Sequence, residues 1–233
     1  MASQDMFDDS KEAIKKEVKV LQGEESKDRS YASSKSYKDA RQASTYFKQA
    51  KDKLFYVNAW SYIQALATAR FELYEANGNR SIDRKVVVGD YIRILLPGPL
   101  PENWVQVMDL QEQESVAEFT VSPANDPTSK DKEKVEHFFN AKATSTFKVE
   151  LKGNQILAQE IGKQEQINNE QDQSVGRALL NTLIAEGGWA GFQRHQWKSL
   201  TDYLVDESQK REPHSKFAVK LKGCLPLLFY FFA

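Results

Sequence analysis

Cysteine is almost missing from this chain. Cys224 is the only one among 233 residues, so no intrachain disulfide can form and a cysteine-based zinc site has no ligand set. Histidine is nearly as scarce. His137, His195 and His214 are never spaced to bring two imidazoles onto one helix face, so neither metal nor cofactor is expected. No charge of one sign dominates: 32 Lys and Arg against 33 Asp and Glu leave a net charge of −1, with the two signs alternating along the chain. Nothing therefore marks a nucleic-acid partner. Long apolar runs are missing too, none reaching the roughly 18 residues of a membrane-spanning helix. The opening "MASQDMFDDS" is acidic and lacks the basic-then-apolar order of a signal peptide. A reducing cytoplasm is the expected location, with contact at a membrane surface left open. Rossmann glycines, a GxSxG elbow and a phosphate loop are all absent, so no catalytic residue is assigned. An enzyme built without local motifs is the minor reading.

What is present is a globular composition, 40% hydrophobic and 28% charged, enough for one sizeable core. The pattern divides the chain into a polar N-terminal segment (1–34), an α+β domain (35–210) and a C-terminal tail (211–233) with an apolar end. Ile14, Val18 and Leu21 predict a short helix in the first segment, and "EESKDRSYASSKS" after it reads as a linker. Ala43, Phe47, Ala50 and Leu54 predict a second helix. From Trp60 to Tyr74 helical and strand spacings compete, and the Asn77-Gly78 pair favours a strand at that end. Val86 to Ile94 predicts one strand with a bulge at Gly89-Asp90. "NWVQVMDL", "SVAEFTV", "ATSTFKVEL" and "NQILAQEIGKQ" predict four more. An antiparallel meander sheet of about six strands, packed against N- and C-terminal helices, follows; an OB-like or SH3-like barrel with helical additions is the alternative. The last helical face runs through Leu180, Leu183 and Ile184 and resumes at Phe192, Gln196, Leu200 and Tyr203. Gly187, Gly188 and Gly191 predict a kink, or two helices, in between.

Three places invite a functional reading. "LLPGPLPENW" has one glycine, no lysine and a strand behind it, so it is no phosphate cradle. It reads as a rigid corner between strands, or else as the lip of a binding site with Trp104 available to stack. His137 in "VEHFFN" is expected to be a hydrogen-bonded boundary residue, since no acid or nucleophile stands at motif spacing. The tail "GCLPLLFYFFA" is too short to span a bilayer. Leu227, Leu228, Phe229 and Phe231 either dock on the protein itself or offer a contact to a protein partner, a second copy or a membrane surface.

From Phe55 to Val205 the order of elements resembles the START-like, or helix-grip, superfamily. Trp60 after a helix, "KVVVGDYIRI", "WVQVMDL", and the late "TSTFKVEL" and "ILAQEIGKQEQ" strands carry the likeness. The chain is also similar to an uncharacterised bacterial family with the pattern GDYIRI, a Pro-Gly-Pro turn, WVxV, then HFF with ATSTF, over about two-thirds of its length. That family brings no established activity. The helix-grip resemblance implies an antiparallel sheet curled around a long C-terminal helix, enclosing an apolar cavity. Two departures stand against it: no strand is evident before Lys38, and the glycines interrupt the last helix. The expected function is non-enzymatic binding of a small apolar molecule between sheet and C-terminal helix, with Trp104, Phe119, Phe147, Phe192 and Leu200 as its lining. The alternative is a structural subunit of a bacterial protein assembly.

Overall fold

The computed structural model describes residues 26–63, 68–97, 102–129, 142–165 and 188–208, together with Lys19. The helix expected over Ile14, Val18 and Leu21 lies outside these residues, as do Leu180, Leu183, Ile184, His137, His214 and the apolar tail.

The elements are β1 (Lys27–Ser36), α1 (Ala40–Phe55), a 3₁₀ turn (Val57–Tyr62), β2 (Arg70–Tyr74), β3 (Arg80–Ser81), β4 (Tyr91–Leu95), β5 (Asn103–Glu112), β6 (Val116–Pro123), β7 (Thr144–Lys152), β8 (Gln155–Glu165) and α2 (Gly188–Val205). The fold is α+β. All eight strands join one antiparallel sheet in the order β1-β8-β7-β6-β5-β4-β2-β3. Strands β4 to β8 form the expected meander. The edges β1 and β3 do not pair with each other among the described residues, so the sheet is open and the barrel alternative is set aside.

Two local expectations are corrected. The supposed linker is a strand from Lys27 onward, paired with β8 along its length. Its inward residues are Arg29, Tyr31, Ser33 and Lys35, which carry no apolar alternation because they face a polar helix surface. Ser33 Oγ lies 2.7 Å from Thr201 Oγ1, donates to Asp202 Oδ1 at 2.7 Å and accepts from Lys198 Nζ at 2.8 Å. Second, the strand drawn from Val86 begins only at Tyr91. Gly89 takes φ +91°, and the buried Asp90 carboxylate accepts Val87 N–H at 2.8 Å and grips the Arg84 guanidinium at 2.7 and 2.8 Å. That side-chain-closed turn replaces the ladder and leaves Val87 and Val88 exposed. Helix α2 is described from Gly188, with Gly188 and Gly191 in its first turn; the stretch before it, where a kink or a second helix was expected, lies outside the described residues.

Helix α1 follows its predicted face. Asp39 caps it, accepting Gln42 N–H at 2.8 Å, and Ala43, Phe47, Ala50 and Leu54 are buried. The competition between Trp60 and Tyr74 resolves into the 3₁₀ turn followed by β2, whose hairpin to β3 turns on Gly78 at φ +83°. Trp60 is the centre of the core. Its ring lies 4.9 Å from Phe147, 5.3 Å from Phe71 and 5.9 Å from Phe119, and its Nε1 donates to Lys53 O at 2.9 Å.

The C-terminal helix is fastened at its far end. Tyr37 donates to Val205 O at 2.9 Å; Lys53, buried on α1, donates from Nζ to Tyr203 O at 2.9 Å and to Asp206 O. These bonds occupy carbonyls that a helix terminus otherwise leaves unpaired.

Candidate functional site

Between the sheet and the start of α2 lies a partly open cavity of about 90 Å³. Its walls include Ile94 of β4, Val105 of β5, Val121 of β6, Ser145 and Phe147 of β7, and Glu165 of β8. In a flat sheet β4 and β8, four steps apart, would be separated by about 19 Å at roughly 4.8 Å per strand. Both can wall one small cavity only because the sheet curls. A bulge in β5 between Val107 and Asp109 assists that bend.

Helix α2 closes the cavity with Phe192, Gln193, Gln196 and Trp197, which i, i+3 and i+4 spacing places on one face. Trp197 sits 5.4 Å from Phe147 and 6.4 Å from Phe71, so the cavity's inner wall is continuous with the aromatic core. Trp104, 5% exposed, packs edge-on against Tyr74 at 4.8 Å, with the Arg93 guanidinium 5.9 Å from its ring.

The other end of the site is polar. Along β8, Ile156, Ala158, Glu160 and Gly162 point inward, and strict alternation would send Glu165 out to solvent. A bulge reverses that. Between Lys27/Glu165 and Arg29/Gly162 the register shifts by one residue, Gln164 adopts φ 51°, and its N–H is taken by Asp28 Oδ1 at 2.9 Å. Glu165 thereby returns to the inward face. It meets Arg29 Nε at 3.1 Å and accepts from Gln193 Nε2 at 3.2 Å. Gly162 makes room for it, because a β-carbon there would lie 2.3 Å from Glu165 Oε1.

Glu160 stands directly behind this pair, between Tyr31 on β1 and Phe147 on β7. It is fully buried, and neither carboxyl oxygen completes a hydrogen bond among the described residues. Burial first, and then the charge of Glu165, push its carboxyl up to about 8; the Ser145 hydroxyl and Arg29 oppose the shift. At neutral pH Glu160 is therefore mainly the uncharged acid. Gln196 is also buried; its Oε1 accepts Ala69 N–H at 2.6 Å, and its Nε2 has no partner among the described residues.

Of the five lining residues expected from sequence, Phe147 and Phe192 wall the cavity, and Trp104 borders it with its ring on the opposite face of the sheet, beside Arg93 and Tyr74. Phe119 and Leu200 do not: they are buried in the core, at 1% and 0% exposure. Leu227, Leu228, Phe229 and Phe231 lie outside the described residues. Leu96 and Asn103, which flank the proline corner in the sequence, both line the cavity. Residues 98–101 of that corner are outside the described set. His195 is on the exposed side of α2. Sequence reasoning missed Glu160, Glu165, Arg29, Gln193 and Trp197. Gln196 stood on the predicted apolar face, and a glutamine among Phe192, Leu200 and Tyr203 was the one visible signal of a polar site. Among the described residues no group of three or more His, Cys, Asp or Glu is placed to hold a metal ion, and no helix is long and apolar enough to cross a membrane.

No protein-family model matches the sequence, and comparison with curated proteins finds no match. Comparison with solved structures does give matches. A hypothetical protein, jhp0584, from Helicobacter pylori is 12% identical, aligns over 82% of this chain and 93% of its own, and has a TM-score of 0.44. Norcoclaurine synthase from Thalictrum flavum is 10% identical over 82% of this chain and 94% of its own, with a TM-score of 0.38. Major latex-like protein 151 from Panax ginseng is 13% identical over 71% and 97%, with a TM-score of 0.35. Likeness at this level passes neither activity nor ligand to the present chain.

Proposed function

We propose that this chain is a non-enzymatic binding protein that takes a small, mainly apolar molecule between its sheet and its C-terminal helix, in the helix-grip manner. The observation that carries the reading is the cavity walled by Phe147, Phe192 and Trp197, set beside buried polar groups at one end. Ligand sites combine these two features: apolar walls supply affinity, and a few placed polar atoms fix orientation. The volume of about 90 Å³ restricts the ligand. Drug-sized molecules occupy roughly 300–1,000 Å³. A single small ring, reaching in through the open side, is the appropriate scale. Native mass spectrometry of the purified full chain tests the proposal, with a bound mass of small-ring size expected. A bare chain that also gains no mass from a library of small cyclic compounds would argue against it.

A second reading, a subunit of a protein assembly with a solid sheet, draws support from the same small volume and from the exposed side chains of Ile82, Val87, Val88 and Met108. Light scattering separates the two: an oligomer dissolved by Val88→Glu or Met108→Glu, with no small-molecule binding, favours the assembly.

A further inference from the structure

Over its last turns α2 is tied to β1 and α1 by Ser33, Tyr37 and Lys53. Nearer its start, beside the cavity, Gln193 donates to the Glu165 carboxylate at 3.2 Å and Gln196 accepts Ala69 N–H at 2.6 Å. The first of these two ties depends on an ionised partner. Glu165 is held in turn by Arg29, whose Nε lies 3.1 Å from it. Its carboxylate packs over Gly162, where a β-carbon would come within 2.3 Å of Oε1. Gly162 is the next inward position after Glu160 on β8, about 7 Å along the strand. Arg29 is paired with Gly162 and Tyr31 with Glu160, so the guanidinium stands diagonally across from Glu160 on the same face. Glu160 is fully buried, and the side chains of Glu165 and Arg29 are 6% and 8% exposed. Two carboxyl groups thus share one guanidinium away from water.

The other groups around Glu160 are neutral. Tyr31, itself bonded to Arg29, has its phenol raised above the usual range by burial. Strand β7 brings Phe147 and Ser145, and α2 brings Gln193 to the cluster. Lys198 and Asp202 of α2 meet Ser33, one inward position beyond Tyr31, and Lys53 of α1 reaches the far end of α2.

We propose that Glu160 is a pH-sensitive latch for the cavity: uncharged, it leaves Arg29 to Glu165, and Glu165 holds the start of α2 closed through Gln193. Ionised, it sets a second carboxylate beside the same guanidinium. A buried charge needs a partner, so Arg29 turns towards Glu160, Glu165 loses its counter-charge and the Gln193 tie loosens. The cavity opens at the start of α2 while the far end stays fastened. This regulation rests on the binding function proposed above and acts on the same cavity. Its sign follows from the Glu160 carboxyl, which burial and then Glu165 push up to about 8. Below that value the closed form keeps its proton, and above it the proton is lost. A molecule bound by the closed form alone should bind about tenfold more weakly at pH 9 than at pH 7.

Cyclohexanol, a neutral single ring, titrated into the full chain and into Glu160→Gln at pH 6, 7, 8 and 9 by ligand-observed NMR, tests the latch. The unaltered chain should show the tenfold loss, and Glu160→Gln should keep a level affinity. Burial lowers the Lys53 amine to about 8 as well, but that titration is common to both proteins and cancels in the comparison. In the unaltered chain the side-chain carboxyl carbon signal of Glu160 should titrate with the same midpoint as the loss of affinity, which decides the matter should the variant not fold. Equal loss in both proteins, no loss in either, or separate midpoints overturns the latch and leaves the cavity function standing. No binding of cyclohexanol at any pH overturns both.

Discussion

Replacing Glu160 by Gln should make this protein more stable at neutral pH, the opposite of what most buried substitutions do. The carboxyl is fully buried, lacks a completed hydrogen bond among the described residues, and is pushed up to about 8 from an ordinary 4.5. In the unfolded chain at pH 7 the same group is ionised. Folding must therefore take up a proton at about 1.4 kcal/mol per pH unit above 4.5, which comes to about 3 kcal/mol at pH 7. The sign follows directly. Between about 4.5 and 8 the folded state binds more protons than the unfolded state, so stability falls as pH rises through that window. Glutamine keeps the shape and removes the titration. Its amide also needs partners, so a net gain of about 1–3 kcal/mol at pH 7 is the reasonable magnitude. Urea unfolding of both proteins at pH 5, 6, 7 and 8 measures it. The unaltered chain should lose stability across the series and the variant should stay nearly level, with the two converging near pH 5. Parallel profiles, or a variant less stable at every pH, would refute the reasoning and mean that Glu160 is ionised and well paired in the folded protein.

Further outcomes follow from the same packing. Lys53→Met should cost about 1–3 kcal/mol, because the carbonyls of Tyr203 and Asp206 lose their donor. Burial also lowers the Lys53 amine to about 8, so stability should rise as pH climbs from 8 towards 10.5. Thermal melts across that range should show the rise in the unaltered chain and not in the variant. Gly162→Ala should displace Glu165 from Arg29 and Gln193 and destabilise by about 1–3 kcal/mol. A double-mutant cycle should give a smaller loss in a Glu165→Ala background, where nothing is left to displace. Phe147→Ala should cost about 3–5 kcal/mol in urea unfolding, since the ring contacts Trp60, Phe119 and Trp197 as well as the cavity.

Much of the sheet was legible because its middle strands alternate apolar and polar residues, as in Ala117, Phe119 and Val121 against Glu118 and Thr120. Strand β1 was not, because its inward face of Arg29, Tyr31, Ser33 and Lys35 packs on the polar side of a helix. Hydrophobic periodicity cannot register a seam made of hydroxyls and charges. The apolar run at Val86–Val88 misled for the converse reason: Asp90 and Arg84 close a turn there, and a side-chain-built turn leaves no period. The site was half legible. Aromatic residues on β7 and α2 pointed to its walls, whereas Glu165 reaches it only through a bulge at Gln164 that local sequence does not announce. Phe119 and Leu200 were assigned to the cavity because sequence shows which face a residue occupies and not how deep it sits.

The central claim is that the space between the sheet and α2 receives a small molecule. An amide-detected NMR titration of the full chain with cyclohexanol tests it most directly. Saturable shifts confined to the side-chain N–H signals of Trp197, Gln193 and Gln196 and the backbone N–H of Phe147 and Phe192, with Trp60 in the solid core much less affected, are the predicted result. Shifts that grow without saturation, or that centre on the exposed side chains of Ile82, Val88 and Met108, would contradict it.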